Sequence, residues 1–256
     1  MRIVLRAPGE RIDPKLRYAI LGDVHSNLEA LEAVLDALST ERIDHYVCVG
    51  DVVGYGADPK PCLDRIRDLC DVIVAGNHDW AVAGTLSMEF FNEYAKAAIH
   101  WTRTKLDEDD IAWLRDLPIQ ADVDRKTMLV HSTVHDPAAF DYLLTSYDAH
   151  LSMRVLKKPL CFVGHSHIPI TFMERGGLGF TFADTIDLTR VEKVIVNPGS
   201  VGQPRDENPD AAYAIYDTVK RRVTLHRVSY DIAAAAGKIE AAGLPAPLAD
   251  RLHVGK

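Results

Sequence analysis

The chain has 256 residues, of which 47% are hydrophobic and 26% charged, and its formal net charge is −8. That is enough chain for one large α/β domain of ordinary composition. An acidic balance argues against a stable nucleic-acid complex, and no apolar run approaches the ~20 residues of a membrane span.

Residues 1–16, which carry Pro8, Gly9 and Pro14, read as an N-terminal extension, and residues 17–256 as a single domain. The opening Met1–Arg6 is too short and too quickly charged for a signal peptide. The four cysteines (Cys48, Cys62, Cys70, Cys161) form no C-x-x-C pair. Reduced thiols in a cytoplasmic protein are the expectation.

A first strand is expected near 17–22. It leads through Ser26 or Asn27, either of which suits an N-cap, into a helix with Leu28, Leu31, Val34, Leu35 and Leu38 at helical spacing. A second strand covers about 46–50. Pro59 or Pro61 then opens a helix to about Leu69, and a third strand follows at 71–75. Strands and helices alternating over short joints call for right-handed crossovers and a largely parallel sheet, whose ligands collect beyond the carboxyl ends of the strands. From 88 to 117 the pattern is helical, with Phe90, Phe91, Tyr94 and Trp101 expected in the core and Asp107 as a cap. A hairpin is expected over 119–123 and 126–131, and a helix or lid-like loop within 132–158. Further strands follow at 160–163, 169–174, 178–184, 193–196, 211–217 and 222–228, and a helix at 232–242.

Five of the strand-like runs end on a polar group. Tyr18–Gly22 delivers Asp23 and His25, and Val47–Gly50 delivers Asp51. Val72–Gly76 delivers Asn77, His78 and Asp79, Met128–Val130 delivers His131, and Leu160–Gly164 delivers His165 and His167. A carboxylate such as Asp51 has two oxygens and can bridge two cations. Mixed nitrogen and oxygen donors without thiolate suit Mn, Fe, Zn, Co or Ni rather than a structural zinc knot. Asp23, His25, Asp51, Asn77, His131, His165 and His167 make seven such groups, too many for one first-row ion and sufficient for two ions about 3.5–4 Å apart, with positions left for water and substrate. His78 is then free to face substrate, with Asp79 expected to hold its orientation by a hydrogen bond.

The ordered set Gly22-Asp23-Val24-His25, Gly50-Asp51, Gly76-Asn77-His78-Asp79, His131 and Gly164-His165-Ser166-His167 resembles the calcineurin-like metallophosphoesterase superfamily. The resemblance covers residues 18–217. It implies a four-layer α/β/β/α sandwich with two mixed sheets and a dinuclear site of divalent or trivalent ions, manganese being the leading expectation. By match to the family pattern, Asp23, His25, Asp51 and His167 hold one metal. Asp51, Asn77, His131 and His165 hold the other. His78 is implied as proton donor to the leaving group or stabiliser of the transition state.

Gly50–Gly56 and Asn197–Arg205 are similar to the small bacterial phosphodiesterase-like branch. Protein Ser/Thr phosphatases and diadenosine-tetraphosphate hydrolases carry an arginine a few residues beyond the bridging Asp, and Val52–Gly56 supplies none. The expected activity is hydrolysis of a phosphodiester or phosphorylated small molecule by metal-activated water. A nucleotide-polyphosphate hydrolase or protein phosphatase is the alternative, and an inactive scaffold a further one. Arg205, Tyr55 and His135 are candidate substrate contacts. One departure is Ser132, where relatives commonly have glycine, and it leaves His135 open as a substitute ligand.

Overall fold

Residues 16–256 are described, in a computed structural model. The chain runs β1 (Arg17–Leu21), α1 (Leu28–Ser39), β2 (His45–Cys48), α2 (Pro59–Leu69), β3 (Val72–Ile73) and α3 (Asn77–Ala83). Next come α4 (Glu93–Arg103), α5 (Glu108–Asp116), β4 (Gln120–Asp122), β5 (Thr127–Val130), a 3-10 turn at Pro137–Ala139 and α6 (Ser146–Val155). Then follow β6 (Leu160–Phe162), β7 (Ile170–Glu174), β8 (Leu178–Thr181), β9 (Thr185–Asp187), β10 (Lys193–Asn197), β11 (Ala211–Asp217) and β12 (Arg222–Val228). Last are α7 (Ile232–Ala241), α8 (Pro247–Asp250) and a 3-10 turn at Arg251–His253.

The strands make two six-stranded sheets, ordered β3-β2-β1-β11-β12-β9 and β4-β5-β6-β10-β7-β8. Both are mixed. In the first, β1, β2 and β3 are parallel and β11, β12 and β9 antiparallel to their neighbours. In the second, β5, β6 and β10 are the parallel centre.

The period-2 alternation of each strand assigns its residues to the layers. Ile20 of β1 and Val47 of β2 face inward between the sheets, where they meet Phe162 of β6 and Val196 of β10. Ala19, Leu21 and Cys48 point the other way, onto α1 and α2, against Leu31, Val34, Leu63 and Ile66. On the far side, Cys161 and Ile195 of the second sheet meet Ala149 and Met153 of α6. Three apolar interfaces separate four layers, the expected α/β/β/α sandwich. The central strands are apolar on both faces because both are buried. Each fully buried Leu or Ile contributes ~1.5–3 kcal/mol relative to an exposed one.

Several expectations shift. Asn27, not Ser26, caps α1, its Oδ1 accepting from the Ala30 amide at 3.1 Å. The strand expected over 178–184 is shorter, with residues 182–184 outside it. β8 ends at Thr181 on the edge of the second sheet, and β9 starts at Thr185 on the edge of the first. Phe90 is not in the core but 94% exposed, and Tyr94 is also exposed, while Phe91 and Trp101 are partly buried. In the lid-like segment, α6 forms the outer layer on the second sheet and only the loop before it turns toward the strand ends. The extension expected over 1–16 lies outside the described residues except for Leu16. That residue already belongs to the fold, exchanging hydrogen bonds with Thr218. Among the described residues no helix is long and apolar enough to cross a membrane.

Candidate metal centre

The parallel strands β1, β2, β3, β5 and β6 end together, and the polar groups that follow them converge. Ligand-capable atoms of Asp23, His25, Asp51 and His167 lie within 4.8 Å of one another, as do those of Asp51, His131 and His165. Asp51 belongs to both groups. Its Oδ2 is 3.4 Å from His25 Nε2 and 3.3 Å from His131 Nε2, so one oxygen faces an imidazole of each group. Both groups hold residues that the resemblance assigned to one metal, the second without Asn77, and every member is buried.

The backbone is bent to deliver them. Asp23, His25, Asp51, His165 and His167 all have positive φ, between 48° and 67°. Non-glycine residues seldom adopt that region, and such strain persists only where the surroundings hold it. Glycines supply the clearance. Gly50 has φ 96°, and a Cβ on it would meet the Gly76 amide nitrogen at 2.6 Å. A Cβ on Gly76 would fall 2.0 Å from Asp51 Oδ1 and 2.4 Å from the Asp51 amide nitrogen. Gly76→Ala is therefore expected to lower the unfolding free energy by ~2 kcal/mol or more, read as a drop in the urea midpoint with unchanged slope.

Hydrogen bonds fix the imidazole tautomers. Nδ1 of His131 lies 2.7 Å from the Val49 carbonyl, Nδ1 of His167 2.6 Å from that of Gln203, and Nδ1 of His25 3.2 Å from that of Val53. A carbonyl only accepts, so each Nδ1 carries a proton, and in the neutral ring each Nε2 turns a lone pair toward the centre. His25 Nε2 and His167 Nε2 face each other at 3.1 Å. Two lone pairs at that distance repel unless a cation lies between them. Asn197 braces the last loop, its Nδ2 donating to Gly164 O at 2.7 Å and to Ser166 Oγ at 2.9 Å.

The donor set passes the test of fit to metal. Asp23 Oδ2, Asn77 Oδ1, His131 Nε2 and His165 Nε2 are buried and have no hydrogen-bond partner. Burying polar atoms unpaired costs about 1–3 kcal/mol apiece, so orphaned atoms on Asp23, His131 and His165, within the two donor groups, call for a partner there. Protonation is the response of the protein alone. Burial, with the nearby Asp51 charge, pushes the Asp23 carboxyl up to about 7 despite His131. Burial would lower His131, but the Asp51 carboxylate outweighs it and takes the imidazole up to about 9. A divalent cation relieves both.

His78 lies in α3, a short helix that sequence periodicity does not reveal. Its ring is edge-on to His25 (4.8 Å) and Phe91 (5.1 Å) and tilted against Tyr55 (4.3 Å). Its amide donates to Asp51 Oδ1 at 2.9 Å. Burial pushes the imidazole down to about 4, outweighing the pull of Asp51. The expected Asp79–His78 side-chain bond is absent. Asp79 instead accepts from the Val52, Val53 and Gly76 amides at 2.9, 3.2 and 3.0 Å. It stitches the loop after Asp51 to the start of α3, because three unpaired amides converge there.

Arg205 and Tyr55 do come to the site, Arg205 Nη2 lying 3.4 Å from Tyr55 Oη. His135 does not. Ser132 Oγ donates to Pro137 O (3.0 Å) and Thr133 Oγ1 to Asp136 O (3.2 Å), which curls the loop back and leaves His135 Nδ1 3.1 Å from Ser152 Oγ. Two site residues escaped sequence reasoning. Tyr142 stacks on His165 at 4.3 Å, and Arg251 sits over the Tyr55 ring at 4.3 Å. Neither carries a motif.

Two mixed sheets whose strand ends share a paired Asp/His cluster define a metallophosphoesterase architecture. Residues 16–221 match the calcineurin-like phosphoesterase superfamily domain, and the chain belongs to that superfamily. It is similar to a Methanocaldococcus jannaschii protein, MJ0912, which has no assigned function: 39% identical over 245 residues, covering 94% of this chain and 99% of that one. Among solved structures it is similar to a metallophosphoesterase from Sphaerobacter thermophilus, with TM-score 0.85, 38% identity and coverage of 94% and 100%. The hypothetical protein PH1004 from Pyrococcus horikoshii shares the fold, with TM-score 0.76, 21% identity and coverage of 94% and 99%.

Proposed function

We propose that this protein is a dinuclear-metal phosphoesterase that hydrolyses a phosphodiester or a phosphorylated small molecule by direct attack of water. The observation that carries the reading is the set of orphaned buried atoms on Asp23, Asn77, His131 and His165. Each is an atom that a ligand to metal would use. Asp23, His25, Asp51 and His167 would hold one ion, and Asp51, Asn77, His131 and His165 the other. Such ions supply Lewis-acid polarisation of a phosphoryl oxygen and a water of lowered pKa.

The rest of the work belongs to the chain. Asp51 spaces the two groups and, through the His78 amide, ties α3 to them. His78 presents an N–H to the phosphoryl or leaving-group oxygen, and Tyr55 and Phe91 hold its ring in place. Arg205 binds non-bridging phosphoryl oxygens.

The test is a panel of phosphomonoesters and phosphodiesters offered to protein reconstituted with Mn, Fe, Zn, Ni or Co. Metal-dependent turnover of at least one aryl ester supports the reading. Two bound ions with no turnover across the panel would favour the scaffold alternative.

A further inference from the structure

The phosphoesterase reading uses one arginine, and the site has two. Arg251 comes from the last 3-10 turn, far from every motif, and its guanidinium lies over the Tyr55 ring at 4.3 Å. Arg205 lies over the same ring at 5.8 Å. Neither has a carboxylate within salt-bridge distance among the described residues. Nε and Nη2 of Arg251 are enclosed with no acceptor. The Tyr55 ring that both arginines cover lies 4.6 Å from the His25 ring and 4.3 Å from the His78 ring, which puts the two guanidinium groups beside the metal centre.

Two like charges around one tyrosine repel, and shutting in a guanidinium with unpaired donors is costly. Burial already lowers Arg251 to about 10, with Arg205 adding to the effect. Packing alone gives no reason to keep such a pair. An anion does, because guanidinium forks match phosphoryl oxygens two at a time. The scissile phosphoryl is provided for by the metal groups and His78, so two guanidinium groups beside them call for a second negative group.

Resting on the phosphoesterase reading, we propose that Arg251 and Arg205 form a two-guanidinium subsite, with Tyr55 between them, for a second phosphoryl group of the substrate. The substrate class is then one with two adjacent phosphoryl groups, such as a phosphoanhydride or a diphosphorylated small molecule.

The experiment compares methylenediphosphonate with methylphosphonate, neither of which is hydrolysed, by calorimetric titration of the manganese-reconstituted full chain. Metal content is checked before and after each titration. The unaltered protein is expected to bind the diphosphonate at least ~10-fold more tightly. Arg251→Gln is expected to weaken diphosphonate binding ~10-fold or more, the scale of a lost charge-assisted contact, and methylphosphonate binding by less than ~3-fold. Arg251→Lys keeps the charge but not the fork and is expected to fall between. Should Arg251→Gln fail to fold, Arg251→Lys alone decides. Equal weakening of both ligands, or no weakening, overturns the subsite. Failure of the phosphoesterase reading is distinct, since it shows as absent ester turnover while the ratio of phosphonate affinities remains measurable.

Discussion

Asp51→Asn protein, reconstituted with manganese and desalted, is expected to retain fewer than about one ion per chain where the unaltered protein retains about two. The substitution changes almost no volume, and an amide oxygen at the Oδ1 position still accepts from the His78 amide. What changes is the atom facing His25 Nε2 and His131 Nε2, which becomes an NH2 donor instead of an anionic oxygen. Asp51 is the one side chain common to both donor groups, so both affinities fall together. Altering a group that merely supports a ligand typically weakens metal binding 10–100-fold. Losing the shared carboxylate should exceed that, on the order of 10²-fold or more at each position. Elemental analysis gives the stoichiometry. Full retention of both ions would mean Asp51 does not join the two groups.

The second large effect separates binding from turnover. His78→Ala is expected to keep both ions and to lose ~10²-fold or more in kcat, the scale of a positioned N–H donor to a developing negative charge. Its side chain has no ligand role in the proposal: the contact to Asp51 is made by the backbone amide, which alanine retains. The imidazole is instead enclosed by His25, Tyr55 and Phe91 with Nδ1 unpartnered. A loss confined to kcat, with metal content close to that of the unaltered protein, is the predicted signature. Full activity in His78→Ala would remove it from the chemistry.

The convergence of the motif residues was legible in the sequence because it follows from backbone rules. β-branched apolar runs ending in Gly-Asp, Gly-Asn or Gly-His mark buried parallel strands, and such strands end on one side of a sheet. What stayed hidden depends on contacts between residues far apart in sequence. Asp79 is two residues from Asn77, a proposed ligand, yet nothing local says that its carboxylate gathers the amides of Val52 and Val53 rather than His78. α3 is only seven residues long, too short for a helical period to register against the glycine before it. Arg251 reaches the site because α7 and α8 pack Ile239, Leu248 and Leu252 in one cluster with Tyr55. That packing is invisible in an alanine-rich tail. Phe90 failed for a simpler reason: it sits before Asn92, the N-cap of α4, so helical spacing does not govern where it points. The strand expected over 178–184 ran past Thr181 because β-propensity is blind to where a strand leaves its sheet.

Anomalous diffraction from crystals of the metal-reconstituted protein bears most directly on the central claim. Two separate peaks are predicted, one in contact with Asp23, His25 and His167, the other with Asn77, His131 and His165, and Asp51 touching both. A single peak, or none at these side chains in protein that has been offered each of the five metals, would contradict the account.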